Sequence, residues 1–361
     1  MTFVGIEAGG TKFVCGVGTG PDDLADVTVF PTTTPEETVG RARDYVLAHG
    51  DGLKGIGVAS FGPVDLDASS DTYGYITSTP KPGWRMADIV GPLRAAVDVP
   101  TGFDTDVNGA ALAEARWGAA RDVDSCVYIT VGTGIGGGGM TGGTLLHGLL
   151  HPEMGHLPVR RDPDDEYPGG CPYHGDCLEG MASGPAIAAR WGTAAPLLSG
   201  ERLHRAVRLE AEYLAQMTAA MTYVLSPKRL IFGGGVMHLE GLLDALRERA
   251  VALLNGYIDV VEITRYIDRY ITRPDLGDHA GVLGAIALAD AAASCTDADA
   301  IAGHPRHRCR PGVAPRRRKP GFIDTARAHV GPCPRRKPRS VTCEGSRGCA
   351  SWHWRSVRPC C

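Results

Sequence analysis

The sequence contains no apolar run of 18 residues, so we expect no segment that spans a membrane. It also has no basic segment followed by an apolar stretch at its start, and we therefore expect no secretory signal. Together these absences favour a cytoplasmic protein, in which cysteines are more often metal ligands or free thiols than disulfides. The pattern GxxxxGK[ST] is missing as well, which excludes a P-loop ATPase.

Length and charge bound the function further. The chain has 361 residues, which is long enough for two domains with their own cores. Hydrophobic residues make up 43% of it, which is too many for a disordered chain. From Ile301 onward there are 15 Lys and Arg residues against two acids, so the preceding residues carry a net charge of −17. An acidic body is a poor electrostatic match for nucleic acid, and we expect no nucleic-acid partner.

The end of the chain, residues 294–361, differs in kind from the rest. Seven of the 11 cysteines lie at or after Cys295, and basic runs such as Pro315–Pro320 have neither helical nor strand periodicity. A nucleic-acid arm or a second metal module is one interpretation, but the cysteine spacings give no CxxC pair. We interpret this tail as a disordered extension, or as out-of-frame translation past the true end of a gene.

Glycine-rich turns that follow predicted strands indicate a nucleotide-binding protein. Their candidate residues are Gly9, Gly10, Thr11 and Lys12 in the first turn, Gly132, Thr133 and Gly134 in the second, and Gly233 and Gly234 in the third. Backbone N–H groups in such turns can point at phosphate oxygens, and a lysine adds a cation. The first two turns share a strand–Gly/Thr–strand plan about 123 residues apart. This echo favours a duplicated α/β domain whose cleft closes on a polyphosphate from both sides.

A second interpretation of the middle turn stays open. Gly132–Gly137 matches GxGxxG, and the acid Glu153 follows it at roughly the spacing of a dinucleotide-binding fingerprint. That fingerprint must open a helix, and the further glycines after Gly137 disfavour one. An NAD-dependent dehydrogenase is therefore a minor alternative.

Metal-ligand spacing occurs once in the acidic body. Cys171, His174 and Cys177 fall within seven residues, and His156 lies upstream of them. A Cys2His2 set suits a closed tetrahedral zinc site, which predicts a structural metal in the loop 156–177. The alternative is a pair of free thiols with surface histidines.

Three acids and one histidine are candidate catalytic or substrate-binding residues. Asp106 begins the predicted helix Asp106–Trp117, where it is either a catalytic base or a simple helix cap. Glu153, His156 and Glu179 flank the metal loop, and such groups either bind vicinal hydroxyls, as a sugar site requires, or lie on the surface. Transfer of a phosphoryl group to an alcohol needs one base near the hydroxyl and cations near the phosphates.

Several motifs together resemble the ROK family of sugar kinases, and in particular its bacterial fructokinase branch. The matching stretches are Gly5-Ile-Glu-Ala-Gly-Gly-Thr-Lys12, Ser60-Phe-Gly-Pro-Val-Asp65, Tyr73-Gly-Tyr-Ile-Thr-Ser-Thr-Pro-Lys-Pro-Gly-Trp84, Asp104-Thr-Asp-Val-Asn-Gly-Ala-Ala111, Ile129-Thr-Val-Gly-Thr-Gly-Ile135, His151-Pro-Glu-Met-Gly-His156 and Cys171-Pro-Tyr-His-Gly-Asp-Cys-Leu-Glu-Gly180. The resemblance implies an actin/hexokinase-like (ribonuclease H-like) ATPase fold with a cleft between two α/β domains. We place these domains at residues 1–107 and 108–293.

The resemblance also implies roles for individual residues. Asp106 corresponds to the catalytic base of the family, and the acids and histidine that flank the metal loop correspond to its sugar contacts. The implied zinc ligands are His156, Cys171, His174 and Cys177. The implied phosphate loops are Gly9–Lys12 and Gly132–Gly134, with Gly233–Gly235 on the adenosine side.

The expected activity is ATP- and Mg²⁺-dependent phosphorylation of fructose at its 6-hydroxyl, with structural Zn²⁺ and a homodimeric assembly. Mannose, glucose and N-acetylmannosamine remain alternative substrates, because Thr105 and Glu7 stand where many members of the family have Asn and Asp. The family also includes sugar-responsive regulators, but these need a DNA-binding domain before the first phosphate loop, which here begins at Gly5. A regulator is therefore a minor alternative.

Overall fold

The computed structural model describes residues 2–302, which form an α/β structure. Its strands are β1 (Thr2–Ala8), β2 (Lys12–Gly18), β3 (Ala25–Pro31), β4 (Leu53–Ser60), β5 (Tyr75–Ile76), β6 (Ala87–Asp88), β7 (Thr101–Thr105), β8 (Cys126–Val131), β9 (Ile135–Thr141), β10 (Thr144–Leu145), β11 (Arg229–Gly233) and β12 (Ile271–Thr272). Its α-helices are α1 (Pro35–Ala48), α2 (Val90–Ala96), α3 (Asp106–Trp117), α4 (Leu178–Ala182), α5 (Gly184–Trp191), α6 (Gly200–Val224), α7 (Leu242–Leu254), α8 (Val261–Thr264), α9 (Ile267–Tyr270) and α10 (Ala280–Ala302). Short 3-10 helices lie at Met154–His156, Ala195–Leu197, Gly235–His238 and Gly277–His279.

Two five-stranded sheets repeat one topology. The first has the strand order β3-β2-β1-β4-β7 and the second the order β10-β9-β8-β11-β12. In each sheet the central strand pairs with an antiparallel hairpin partner on one side, as Val4 with Val17 and Tyr128 with Gly138. On its other side it pairs with a parallel strand, β4 or β11. The predicted echo between the two glycine hairpins is therefore confirmed as a repeat of the whole sheet.

Helices α3 and α10 pack against each other and against the sheets. The helix α3 contacts strands of both sheets, and α10 contacts α3 and the strands β1, β4 and β7. Glycine makes the second contact close: a Cβ at Gly57 would overlap the carbonyl oxygen of Ala285, and a Cβ at Gly102 would overlap that of Leu288. The last helix therefore covers the first sheet, although it follows the second sheet in sequence.

Each half has its own buried cluster of apolar side chains. One lies between the first sheet and α1, and includes Phe13, Ile56 and Trp84, whose indole Nε1 donates to the carbonyl of Thr33 at 2.8 Å. The larger cluster joins the second sheet to α6 and α7 and includes Phe232. Burial of this much apolar surface is the main favourable term in folding each half.

Three sequence expectations concern the tail, the domain division and membrane spans. The helix α10 continues to Ala302, past the expected tail boundary at residue 293, because the alanine-rich segment after that boundary favours a helix. The rest of the predicted tail, residues 303–361, lies outside the described residues, and the division at residue 107 stays a prediction. Over residues 2–302 no helix combines the length and the apolarity that a bilayer span requires.

Candidate active site

The carboxylate of Asp106 stands at the first turn of α3 without serving as its cap. The cap is Thr105, whose Oγ1 accepts a hydrogen bond from the backbone N–H of Asn108 at 3.1 Å. The carboxylate of Asp106 accepts from the backbone N–H of Val107 at 2.9 Å and has no side-chain hydrogen-bond partner among the described residues. Burial raises the pKa of Asp106 to about 6. The interpretation of Asp106 as a simple N-cap is therefore wrong, and its role as a catalytic base stays a prediction.

A buried polar network below Asp106 fixes the turn into α3. Asp104, with 1% exposure, accepts from the Thr105 N–H and from Nδ2 of Asn108, both at 2.8 Å. Its second oxygen accepts from Nε2 of His147 at 2.7 Å. Asn108 in turn accepts from the N–H of Gly139 on β9 at 3.1 Å. The sequence analysis missed this network, because only the fold brings His147 to the end of β7.

The two predicted phosphate turns lie next to each other. Each is a tight hairpin closed by a backbone hydrogen bond, from Gly9 N–H to the Lys12 carbonyl at 3.0 Å and from Gly132 N–H to the Gly134 carbonyl at 2.9 Å. The hydroxyl oxygens of Thr11 and Thr133 approach to 3.5 Å across the gap between the sheets. Residues 122 positions apart in sequence thus form one glycine- and threonine-lined surface.

The third glycine turn adjoins the second. Gly233 ends β11 beside β8, and Gly234 has a φ of +90°, a conformation that favours glycine. A Cβ at Gly234 would also overlap the backbone of Val131, the last residue before the second turn. Because β9 follows the middle turn as a strand, Gly132–Gly137 does not open a helix, and the dinucleotide fingerprint is not formed.

Glu7 places a second acid near Asp106. Burial and the charge of Asp106 raise the pKa of Glu7 to about 7, against the opposing charge of Lys12. Its Oε2 is buried with no hydrogen-bond partner among the described residues. A Cβ at Gly281 would overlap this carboxylate, so the start of α10 is shaped around it. An unpaired buried oxygen of this kind suits a bound cation or water.

Glu153 and Glu179 complete a group of acids on the side of the second sheet. Glu179 accepts from the N–H of Ile135 at 2.9 Å, and this ties it to the start of β9, directly after the second turn. Burial, followed by the charges of Asp106 and Glu179, raises the pKa of Glu153 to about 7. The charges of Asp106, the predicted base, and of Glu179 therefore both act on Glu153, so these three acids lie near one another.

The four predicted metal ligands come together. One nitrogen or sulfur from each of His156, Cys171, His174 and Cys177 lies within 4.8 Å of the others. The Nδ1 of His156 is 3.5 Å from the sulfur of Cys177 and 3.8 Å from that of Cys171. Mixed imidazole and thiolate donors could hold a metal ion. His156 faces the cluster through Nδ1, and its predicted contact with a sugar stays a prediction.

Comparison with known proteins identifies the family. A sequence model described as the ROK family matches residues 3–292. The chain belongs to the ROK family. A fructokinase of Zymomonas mobilis is 44% identical over 292 residues, which cover 80% of this chain and 96% of that protein. A fructokinase of Pediococcus pentosaceus is 39% identical over 292 residues, covering 81% and 99%.

A solved structure extends this similarity. It is that of a ROK family glucokinase from Streptomyces griseus in complex with glucose and AMPPNP, at 25% identity and a TM-score of 0.63. The alignment covers 80% of this chain and 99% of that one. The expected actin/hexokinase-like ATPase fold of this ROK protein is therefore confirmed.

Proposed function

We propose that this ROK protein is an ATP-dependent fructokinase that transfers the γ-phosphoryl group to the 6-hydroxyl of fructose. The observation that carries this proposal is the carboxylate of Asp106 at the start of α3. This helix packs on β9, which follows the second glycine hairpin, and the two hairpins meet at Thr11 and Thr133. The fructokinase relatives at 39% and 44% identity support fructose as the acceptor. The homodimer stays a prediction.

The transfer step assigns one proton to Asp106. The 6-hydroxyl oxygen forms a bond to the γ-phosphorus as the bond from that phosphorus to the β-bridging oxygen breaks, and ADP leaves. The hydroxyl proton passes to the carboxylate of Asp106. Backbone N–H groups of the hairpins Gly9–Lys12 and Gly132–Gly134 hold the phosphates, and Gly233 and Gly234 lie on the nucleoside side. The side chains of Glu153, His156 and Glu179 hold the other hydroxyls of the sugar.

Two metals belong to this proposal. The buried unpaired oxygen of Glu7 fits Mg²⁺, which prefers oxygen ligands and is held mainly by phosphates and waters. When bound with ATP, Mg²⁺ neutralises charge on the phosphates. The cluster of His156, Cys171, His174 and Cys177 suits Zn²⁺ in a structural role, because its four donors leave no open position for a reacting group. It would fix the segment that carries the hydroxyl-binding residues.

A hexose panel tests the proposed function. In a coupled assay of ADP release, we expect kcat/KM for fructose to exceed that for glucose, mannose and N-acetylmannosamine by at least about tenfold, since one misplaced hydroxyl contact costs on the order of that factor. Inorganic phosphate release without sugar is the control for uncoupled hydrolysis. Faster turnover of another hexose would reassign the acceptor, and ADP release with none of the four would exclude the kinase.

The raised carboxylate pKa values predict an acid limb in the rate profile. Asp106, Glu7 and Glu153 have pKa values of about 6, 7 and 7, and each is needed in its ionised form. As the pH falls through this range the carboxylates take up protons, so kcat/KM for fructose falls, with an apparent pKa that belongs to the group of acids. Initial rates between pH 5 and 8 measure it, with the coupling enzymes in excess at every pH. A rate that stays level down to pH 5 would contradict the assignment of Asp106 as base.

A further inference from the structure

His151 is a buried side chain that the proposed mechanism does not use. It lies on the segment that carries Glu153 and faces the segment that follows β4, and only 7% of the residue is exposed. Its Nε2 is 3.0 Å from the backbone nitrogen of Val64. Val64 itself is fully buried within the first apolar cluster, so one end of this contact is anchored in the core of the first half.

This contact determines the tautomer of the ring. A backbone N–H only donates, so the Nε2 of His151 must accept and carries no proton. The neutral ring therefore has its proton on Nδ1. That nitrogen is 3.4 Å from the carbonyl oxygen of Pro152 and 3.5 Å from Oε1 of Glu153. The single donor of the ring hydrogen-bonds to the Pro152 carbonyl, and the Glu153 carboxylate, which the proposed function assigns to the hexose, lies beside it.

The surroundings keep the ring neutral and in place. Burial lowers the pKa of His151, and protonation of Nε2 would also break the bond from Val64. A Cβ at Gly62 would lie 3.2 Å from Cε1 of the ring, so glycine at this position leaves the space that the imidazole occupies. The same segment is held a second time four residues earlier, where His147 donates to Asp104.

We propose that His151 is a positioning residue for hexose binding: its bond from Val64 ties the Glu153 segment to the core of the first half, and its ring lies beside the Glu153 carboxylate. The proposal rests on the proposed function, because it needs Glu153 to bind a hydroxyl of the sugar. A carboxylate oxygen turned toward His151 leaves the other oxygen a defined direction for the hexose.

A double-mutant cycle on the full chain tests this role. We expect His151→Leu to raise KM for fructose about tenfold with little change in KM for ATP, because it removes a contact made on the sugar side only. In the Glu153→Gln background the same change should raise KM by no more than about twofold, since a residue that acts through Glu153 has little left to position. His151→Gln, which keeps one acceptor and one donor, should stay within about threefold of the parent chain.

The outcomes separate this inference from the proposed function. If Glu153→Gln leaves KM for fructose unchanged, Glu153 does not bind the sugar, and both proposals on this residue are wrong. If Glu153→Gln raises KM but the effect of His151→Leu is fully additive, only the positioning role is wrong. An equal loss in His151→Gln and His151→Leu would also overturn it. His49→Leu, a histidine at the end of α1, is the matched control and should leave both KM values unchanged.

Discussion

Replacing Asp106 with Asn is expected to lower kcat about a thousandfold or more while KM for fructose changes by less than about threefold. The amide has nearly the shape of the carboxylate but cannot accept the proton, and loss of a general base costs on the order of 10²–10⁴ in rate. The helix start should survive, because Thr105 caps α3 and Asp104 holds Asn108. Initial rates over a range of fructose at saturating ATP measure both constants.

The matched control is Asp244→Asn, which changes an exposed acid in the first turn of another helix, α7. It should leave kcat unchanged. Thermal unfolding separates lost chemistry from lost structure: because burial disfavours the ionised form of Asp106, the Asn variant should unfold at the same temperature or higher. Turnover close to that of the parent chain in Asp106→Asn would refute the assignment of the base.

Local patterns were enough to predict one helix to the residue. The helix α3 at Asp106–Trp117 has the bounds expected from the sequence. By contrast, β3 at Ala25–Pro31 was missed. It is the edge strand of its sheet, and only Phe30 in it is buried, while Val27 and Val29 are exposed. Apolar and polar residues do alternate over Ala25–Val29, so its periodicity was sufficient to predict a strand there.

The structural role of individual glycines was the hardest feature to predict from the sequence. Its abundance indicated turns and ligand loops, and the hairpins at Gly9 and Gly132 fit that expectation. Gly57 and Gly102 serve a different purpose, since they sit in mid-strand and admit α10 onto the first sheet. Nothing adjacent in sequence distinguishes these two uses, because the partner of each strand glycine is a helix some 190 to 230 residues away.

The candidate site divides in the same way. Three of the four metal-cluster residues are local, so their spacing predicted the cluster directly. The acids that flank it, and Asp106, were predicted by position in a motif. The supporting histidines were not, because His147 and His151 contact Asp104 and Val64, which lie 43 and 87 residues away. Side chains that position other side chains become visible only in the folded chain.

Substitution of Cys177 by Ser is expected to abolish zinc binding at the proposed site and to destabilise the protein by about 4 kcal/mol, or a fall of about 10 °C in Tm. Burial raises the pKa of Cys177 to about 11, so a metal has to displace its proton, and serine does not replace the thiolate as a ligand. Because the N–H of Leu178 donates to the Leu157 carbonyl, loosening of this loop reaches the helix that carries Glu179, and KM for fructose should rise.

Metal analysis, thermal unfolding and fructose KM on the same preparations test this expectation. Cys126→Ala is the matched control, because that thiol is equally buried but lies on β8 outside the cluster. It should keep one zinc per chain and lose only about 1 kcal/mol, the cost of a small cavity. Treatment of the parent chain with a chelator, followed by excess Mg²⁺, should reproduce the Ser variant, since Mg²⁺ restores the nucleotide complex but suits oxygen ligands and not thiolates. A parent chain that purifies without zinc, or a Ser variant that retains it, would contradict a structural zinc site.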